Sequence, residues 1–386
     1  MKRIICMAML VLATALQLPA QTLPLSGHAR ASVITCGAGN DFYTTFGHSA
    51  IRITDTSVGL DMVYNYGTFD FDTPHFYWKF AQGRLDYCLS RTEFGRFMYV
   101  YAGEQRAVWE QPLNMSEQEV NNLYVLLEQN YLPEYRYYRY DFFRDNCATR
   151  VRDMVEAALG HDGADLSGSE EGQMTYRQYL HRAMRDTLEW WAVGIDILLG
   201  LPADHRCTAA EAMFHPLVMM EEYALAERKE SRQPVVNGSI RHLQDMRPPL
   251  KCSFPPLAAF ALALAAVAAL TVWGRRRGWR LAWLDRTLYI VAGLIGLFLL
   301  FMWFGTDHYC TKWNYNLLWA SPLLLLIAIR LERSPRWALW LQTGMLVAYM
   351  IIAGVNHTFA LLPIALLLLI RLWAGRSEGK NKSRKA

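Results

Sequence analysis

Two residues far apart in the chain are of types that could act on each other. His48 stands in the run Gly47-His48-Ser49-Ala50-Ile51-Arg52-Ile53, which continues in the manner of a strand. Cys147 stands in Phe143-Arg144-Asp145-Asn146-Cys147-Ala148-Thr149-Arg150. Asp145 or Asn146 is a natural helix N-cap. Val151, Met154, Val155 and Leu159 then recur at helical spacing, which places Cys147 in the first turn of a helix. Unpaired backbone N–H groups and the helix dipole favour an anion there, and the thiolate is the nucleophilic form of cysteine. With a histidine as base, such a thiol does covalent acyl chemistry.

The same residues have plainer readings. A histidine at a strand end packs, and a cysteine in a helix is a small buried hydrophobe or a disulfide partner. Cys36, Cys88, Cys147, Cys207 and Cys252 form an odd set, so one is left unpaired unless Cys310 or another chain joins. No C-x-x-C or H-x-x-x-H spacing occurs, so no metal site is expected.

The elements that must position the pair are strands first and helices after. Short β-type runs are expected over 31–36, 49–54, 61–67, 83–89 and 96–102, separated by turn residues. Ser116 and Glu119 form a capping box, and Leu123, Leu126 and Leu127 share one helical face behind it. The next helix is the one that opens at Cys147. The order implies an α+β domain.

The chain divides near residue 252. Residues 1–20 have Lys2 and Arg3, an apolar core and a small residue at Ala20, the form of a secretory signal. An exported catalytic domain is expected over 21–252, a transmembrane domain over 253–374 and a basic cytoplasmic tail over 375–386. Five apolar segments, near 254–273, 283–304, 316–330, 337–354 and 357–373, approach the ~20 residues that a spanning helix needs. The third and fifth are short and contain Pro322 and Pro363. Arginines cluster after the first, third and fifth segments, whereas Lys312 is the one Lys or Arg after the second and fourth. Basic loops stay cytoplasmic, so the exported domain and the 305–315 loop face outward and the C-terminus faces in. The net charge of +4 comes with no basic, aromatic-interleaved patch, so no nucleic-acid partner is expected.

Two further segments stand out. Trp190-Trp191-Ala192-Val193 begins an apolar run too short to span, readable as an interfacial helix or as a core helix. The loop 305–316, dense in polar and aromatic residues, is a candidate contact for lipid headgroups or for an acceptor amine.

Taken together, GHSAIRI, VYNYGTFDFDTPHFYWKFAQGRLDY, YDFFRDNCATRVRD and WWAVGIDILLGLPADHRCTAAEAMFHP resemble the exported domain and membrane region of the Lnb-like lipoprotein N-acyltransferase family of Bacteroidetes. The order of His48 before Cys147 also resembles circularly permuted papain-like domains related to the NlpC type. The resemblance implies Cys147 as nucleophile, His48 as its base and a third polar residue within 62–70 to orient the imidazole. Asn65 is the first choice, Asp70 the second, and Tyr64 a further option. Asn146 caps the helix, and a backbone N–H near Cys147 would form an oxyanion hole. His308 is the alternative histidine.

The implied reaction moves an acyl chain from a membrane phospholipid, through an acyl-cysteine, to the N-terminal amine of a diacylglyceryl lipoprotein. It needs no cofactor. The protein would sit in the bacterial inner membrane with its catalytic domain in the periplasm. A papain-like hydrolase of the envelope, or a non-catalytic assembly factor with Cys147 in a disulfide, are the alternatives. The oligomeric state is left open.

Overall fold

A computed structural model describes residues 24–383 apart from 42–43, 170–172, 249–250, 253 and 356–357. The expected signal segment over 1–20 and residues 384–386 of the expected tail lie outside these. The early β-type segments form strands β1 (Arg30–Cys36), β2 (His48–Asp55) and β3 (Leu60–Thr68), with β1 buried from Ala31 to Cys36 because both faces of the sheet are covered. A short helix α1 (Phe76–Ala81) precedes β4 (Asp86–Glu93). Helix α2 (Phe94–Gly103) and strand β5 (Val108–Pro112) follow.

The expected strand over 96–102 is therefore a helix. Its aromatic residues favour strands in isolation, but Phe97 and Tyr101 are four apart and are buried on one helical face. Helix α3 (Glu117–Tyr131) opens with the expected Ser116–Glu119 capping box. Next come β6 (Tyr137–Arg139) and α4 (Cys147–Leu159). A two-stranded ribbon pairs β7 (Ala164–Asp165) with β8 (Glu227–Arg228), and α5 (Tyr176–Met184), α6 (Glu189–Leu198), α7 (Ala209–Ala212) and α8 (Pro216–Leu225) lie between them.

With β9 (Ile240–Leu243), the main sheet has the order β6-β4-β3-β2-β1-β5-β9 and is antiparallel throughout. Val33, Ile51, Ile53, Tyr64 and Leu89 meet α3 and α4 on one face, while Ile34, Ala50 and Val63 meet α2 on the other.

In the second half, α9 (Pro256–Arg277), α10 (Ala282–Phe304) and, later, α12 (Arg336–Val355) are long and apolar enough to cross a membrane. The fifth expected segment is a shorter apolar stretch over Phe359–Ala374, made of a 3-10 turn (Phe359–Leu361) and the start of α13 (Leu362–Ser383). Pro363 stands in its first turn, where proline costs no hydrogen bond. The third expected segment, 316–330, is not one continuous helix. It is a 3-10 turn (Tyr315–Leu318), a break at Ser321-Pro322 and the seven-residue α11 (Leu323–Ile329). The break is lined by protein. Gln342 of α12 accepts from the Ser321 hydroxyl (2.7 Å) and donates to the Leu318 carbonyl (3.1 Å). Non-helical backbone is tolerated at membrane depth where it is satisfied in this way. Near the other end, Arg371 of α13 is fully buried and pairs with Asp285 of α10 (2.6 Å) and Thr271 of α9 (2.9 Å).

The two halves are joined through the 305–316 loop. Arg177 of α5, 2 % exposed, holds Asp196 (2.9 Å) and Asp204 (2.7 Å), and His181 shares Asp196 (2.9 Å). Asn314 donates to the carbonyls of Ile197 and Leu198, and Asn316 to that of Asp196. The Gly200 amide donates to the Cys310 carbonyl (2.8 Å). The loop expected to meet headgroups or an amine thus commits these polar groups to the N-terminal domain. Helix α6 is buried on one side only. Val193 enters the core of the membrane half, while Trp190 and Trp191 are about half exposed, with the Trp190 indole donating to the Phe254 carbonyl (2.9 Å).

Candidate active site

The site lies where α4 begins, against the near ends of β2 and β3. Asn146 is the N-cap of α4. Its side chain accepts from the Thr149 amide (2.9 Å) and donates to the Phe142 and Phe214 carbonyls (both 2.8 Å). All its polar capacity goes to fixing the helix start, which puts Cys147 at the first helical position. Asp145 pairs with Arg150 instead. Behind Cys147, Ala148, Val151 and Val155 bury against the sheet.

His48 is the first residue of β2, and Gly47 sets it there. Gly47 has φ +83°, and a Cβ at that position would come within 2.6 Å of the Cys36 carbonyl oxygen. No other residue could make this close turn into the strand. On β3, the pairing with β4 slips between Asn65 and Thr68. Within that bulge Gly67 has φ +84°, and its missing side chain would stand 3.6 Å from the Cys147 Cβ and 4.0 Å from the His48 ring. The bulge thus clears room at the thiol.

Asn65 forms a short hydrogen bond to His48 through its amide oxygen, so Nε2 of His48 is the donor. That tautomer leaves Nδ1 to take a proton. His48 and the Ser49 and Ala148 backbone N–H groups lie near enough to the Cys147 sulfur to act on its charge. Burial pushes the Cys147 thiol up. The charge and hydrogen bond of His48 and the two backbone donors push it down further, and the net direction is down. For His48, burial pushes down, while the charge and hydrogen bond of Cys147 and the bond to Asn65 push up and prevail. Both directions favour transfer of the thiol proton to the imidazole. By contrast, burial pushes the Cys36 and Cys207 thiols up to about 12. All six described cysteines are free, Cys147 among them, so the disulfide expected of a non-catalytic protein is not formed at this position.

The remaining sequence candidates lie elsewhere or serve the scaffold. Tyr64 points into the core and donates to Glu128 of α3. Asp70 accepts from the Asp72 amide (2.9 Å) in an exposed turn. His308 packs its ring on Gly83 beside the membrane loop. One group was not anticipated. Tyr138, on the three-residue β6, lies near both Cys147 and the Gly67 amide. Its buried hydroxyl has no hydrogen-bond partner among the described residues. Burial holds it protonated, with its proton free to donate. The tyrosine-rich stretch Tyr135–Tyr140 carries no spacing signal that would single out this ring.

The arrangement offers a low thiol, an oriented imidazole and an unused hydroxyl donor, which is the equipment for acyl transfer through a thioester. No curated protein and no solved structure matches the chain. Residues 24–182 match the family described as the Lnb N-terminal periplasmic domain, and residues 249–381 match the Lnb transmembrane domain. With the periplasmic domain that holds this thiol site followed by the helical membrane domain, the chain belongs to the Lnb family.

Proposed function

We propose that the protein is a membrane-bound lipoprotein N-acyltransferase working through an acyl-cysteine. The observation that carries this reading is the Cys147–His48–Asn65 site, with its lowered thiol, in a domain packed on membrane helices. The Cys147 thiolate attacks the carbonyl carbon of a phospholipid ester. The oxygen that becomes negative is met by the Tyr138 hydroxyl. As the ester C–O bond breaks, the His48 imidazolium gives its proton to the leaving lyso-phospholipid oxygen. The free α-amino group of a diacylglyceryl-cysteine lipoprotein then attacks the thioester carbon. His48 takes the amine proton, the C–S bond breaks, and the thiolate is regenerated beside an amide-linked third acyl chain. Substrates that both live in the bilayer give the tether its purpose.

The order of His48 before Cys147 fits a circularly permuted papain-like domain. The basic loops after the first and third apolar segments and the basic tail support a C-terminus in the cytoplasm, across the inner membrane from the thiol. The test is mass spectrometry of lipoprotein N-termini from cells depleted of the protein and rescued with wild type or Cys147→Ala. Wild type restores triacyl forms, and Cys147→Ala loses activity by roughly a thousandfold or more and leaves diacyl forms. Equal rescue by both removes the thiol from the reaction. Released fatty acid with unchanged N-termini makes the protein a hydrolase.

A further inference from the structure

We propose that the short aromatic helix α1 lies in the periplasm-facing surface of the bilayer and is where a phospholipid acyl chain enters the thiol site. Its depth is set by contacts with the outward end of α10. The Trp78 ring stacks on Phe301, with centroids 5.6 Å apart and planes at 26°. The Asp307 amide donates to the Gln82 carbonyl (2.8 Å), and Arg84 pairs with Asp307 (2.9 Å). Phe301 stands in the last turn of a helix long and apolar enough to span, so α1 is held where that span leaves the hydrocarbon.

At that depth α1 exposes Tyr77, Trp78 and Phe80, at 79 %, 57 % and 45 %. Large apolar surface of this kind is unfavourable in water and suits the lipid interface, where aromatic side chains gather. The opposite side of α1 leads inward. Buried Phe76 meets Phe69 (5.7 Å between centroids), Phe69 meets Tyr87 (5.2 Å), and Tyr87 stacks on Tyr140 (4.3 Å). The Tyr140 ring and the Cys147 Cβ both border the Gly67 gap, at 3.9 and 3.6 Å from the position of its missing side chain. An unbroken aromatic wall therefore runs from the bilayer surface to the thiol, along which a hydrocarbon chain travels out of water.

The interfacial placement stands on its own, and the entry role rests on the acyl-transfer reading. Full-length protein carrying benzoyl-phenylalanine in place of Tyr77 is reconstituted in phosphatidylethanolamine–phosphatidylglycerol vesicles, irradiated and analysed by mass spectrometry. A phospholipid adduct is expected there. It should be at least about tenfold weaker at Tyr99, which is 82 % exposed on α2. Equal yields, or none at position 77, overturn the placement.

The entry role is tested by acyl-Cys147 formation from vesicle phospholipid relative to formation from soluble phenyl acetate. Phe80→Glu lowers this ratio by about tenfold or more. An unmoved ratio overturns the entry. An adduct from the protein substituted at position 77, together with wild type that acylates Cys147 from neither donor, overturns the entry together with the acyl-transfer reading and leaves the placement standing.

Discussion

At the end of the sheet, Cys147 is buried and His48 and Asn65 are half-buried, with few partners, and the charge on Cys147 and His48 depends on a proton that passes between them. Between α5 and α6, Arg177 is buried more completely, yet two carboxylates and the Leu199 carbonyl surround its guanidinium. The second cluster is saturated and keeps its charges fixed. The first is left one donor short of saturation, at the Tyr138 hydroxyl. A buried polar group with unused capacity is costly, and a site that must receive a developing charge has reason to keep one. Of these two clusters, the saturated one ties α5 to α6, and the unsaturated one lies at the thiol.

The sharpest way to break this contrast is Arg177→Ala. It leaves Asp196 and Asp204 buried without their cation and should destabilise the periplasmic domain by about 3–5 kcal/mol, read as earlier proteolytic cleavage on heating. The rate of Cys147 alkylation in the protein that is still folded should not change. A matching loss of alkylation would mean that the Arg177 cluster also sets the thiol.

Next in size is Tyr138→Phe, which removes one hydroxyl and little packing. Acyl-Cys147 formation should slow by about a hundredfold, the usual effect of losing an oxyanion donor, while iodoacetamide alkylation, which develops no oxyanion, stays within about twofold. Equal effects on both reactions would remove the hydroxyl from the acyl step.

The smallest effect is expected from Asn65→Ala, about tenfold on acylation through loss of one hydrogen bond. Its clearer signature is in pH. Acylation needs the thiolate and the imidazolium together. The rate should rise as pH passes the lowered thiol value and fall as pH passes the raised imidazole value. The Asn65 bond is one of the causes that raise His48, so its removal moves the alkaline limb to lower pH. A limb that stays in place would mean that Asn65 only packs.

Much of this site was legible because local rules set it. An Asn-Cys sequence ahead of a helical period fixes a thiol at a helix start whatever surrounds it. Asn65 came within reach once the resemblance narrowed the third residue to β3, but the bulge that creates the Gly67 gap depends on β4 pairing and leaves no local pattern. Tyr138 was hidden because three residues of strand are too few for a period. The helix over 94–103 was misread because aromatic residues serve strands and helices alike, and only its packing against β3 and β4 decides between them. The broken segment at 316–330 looked like a short span because hydropathy registers the leucines and not the hydrogen bonds that Gln342 supplies.

The contacts of Asn314 and Asn316 with the end of α6 bear on how the protein is made. The carbonyls of Asp196, Ile197 and Leu198 are synthesised and exported well before the two asparagines that receive them. The periplasmic domain thus leaves the translocation machinery with one helix end still open, and closes it only after α9 and α10 have been threaded into the bilayer. Until the loop after α10 is in place, that helix end lacks the partners it has in the finished fold.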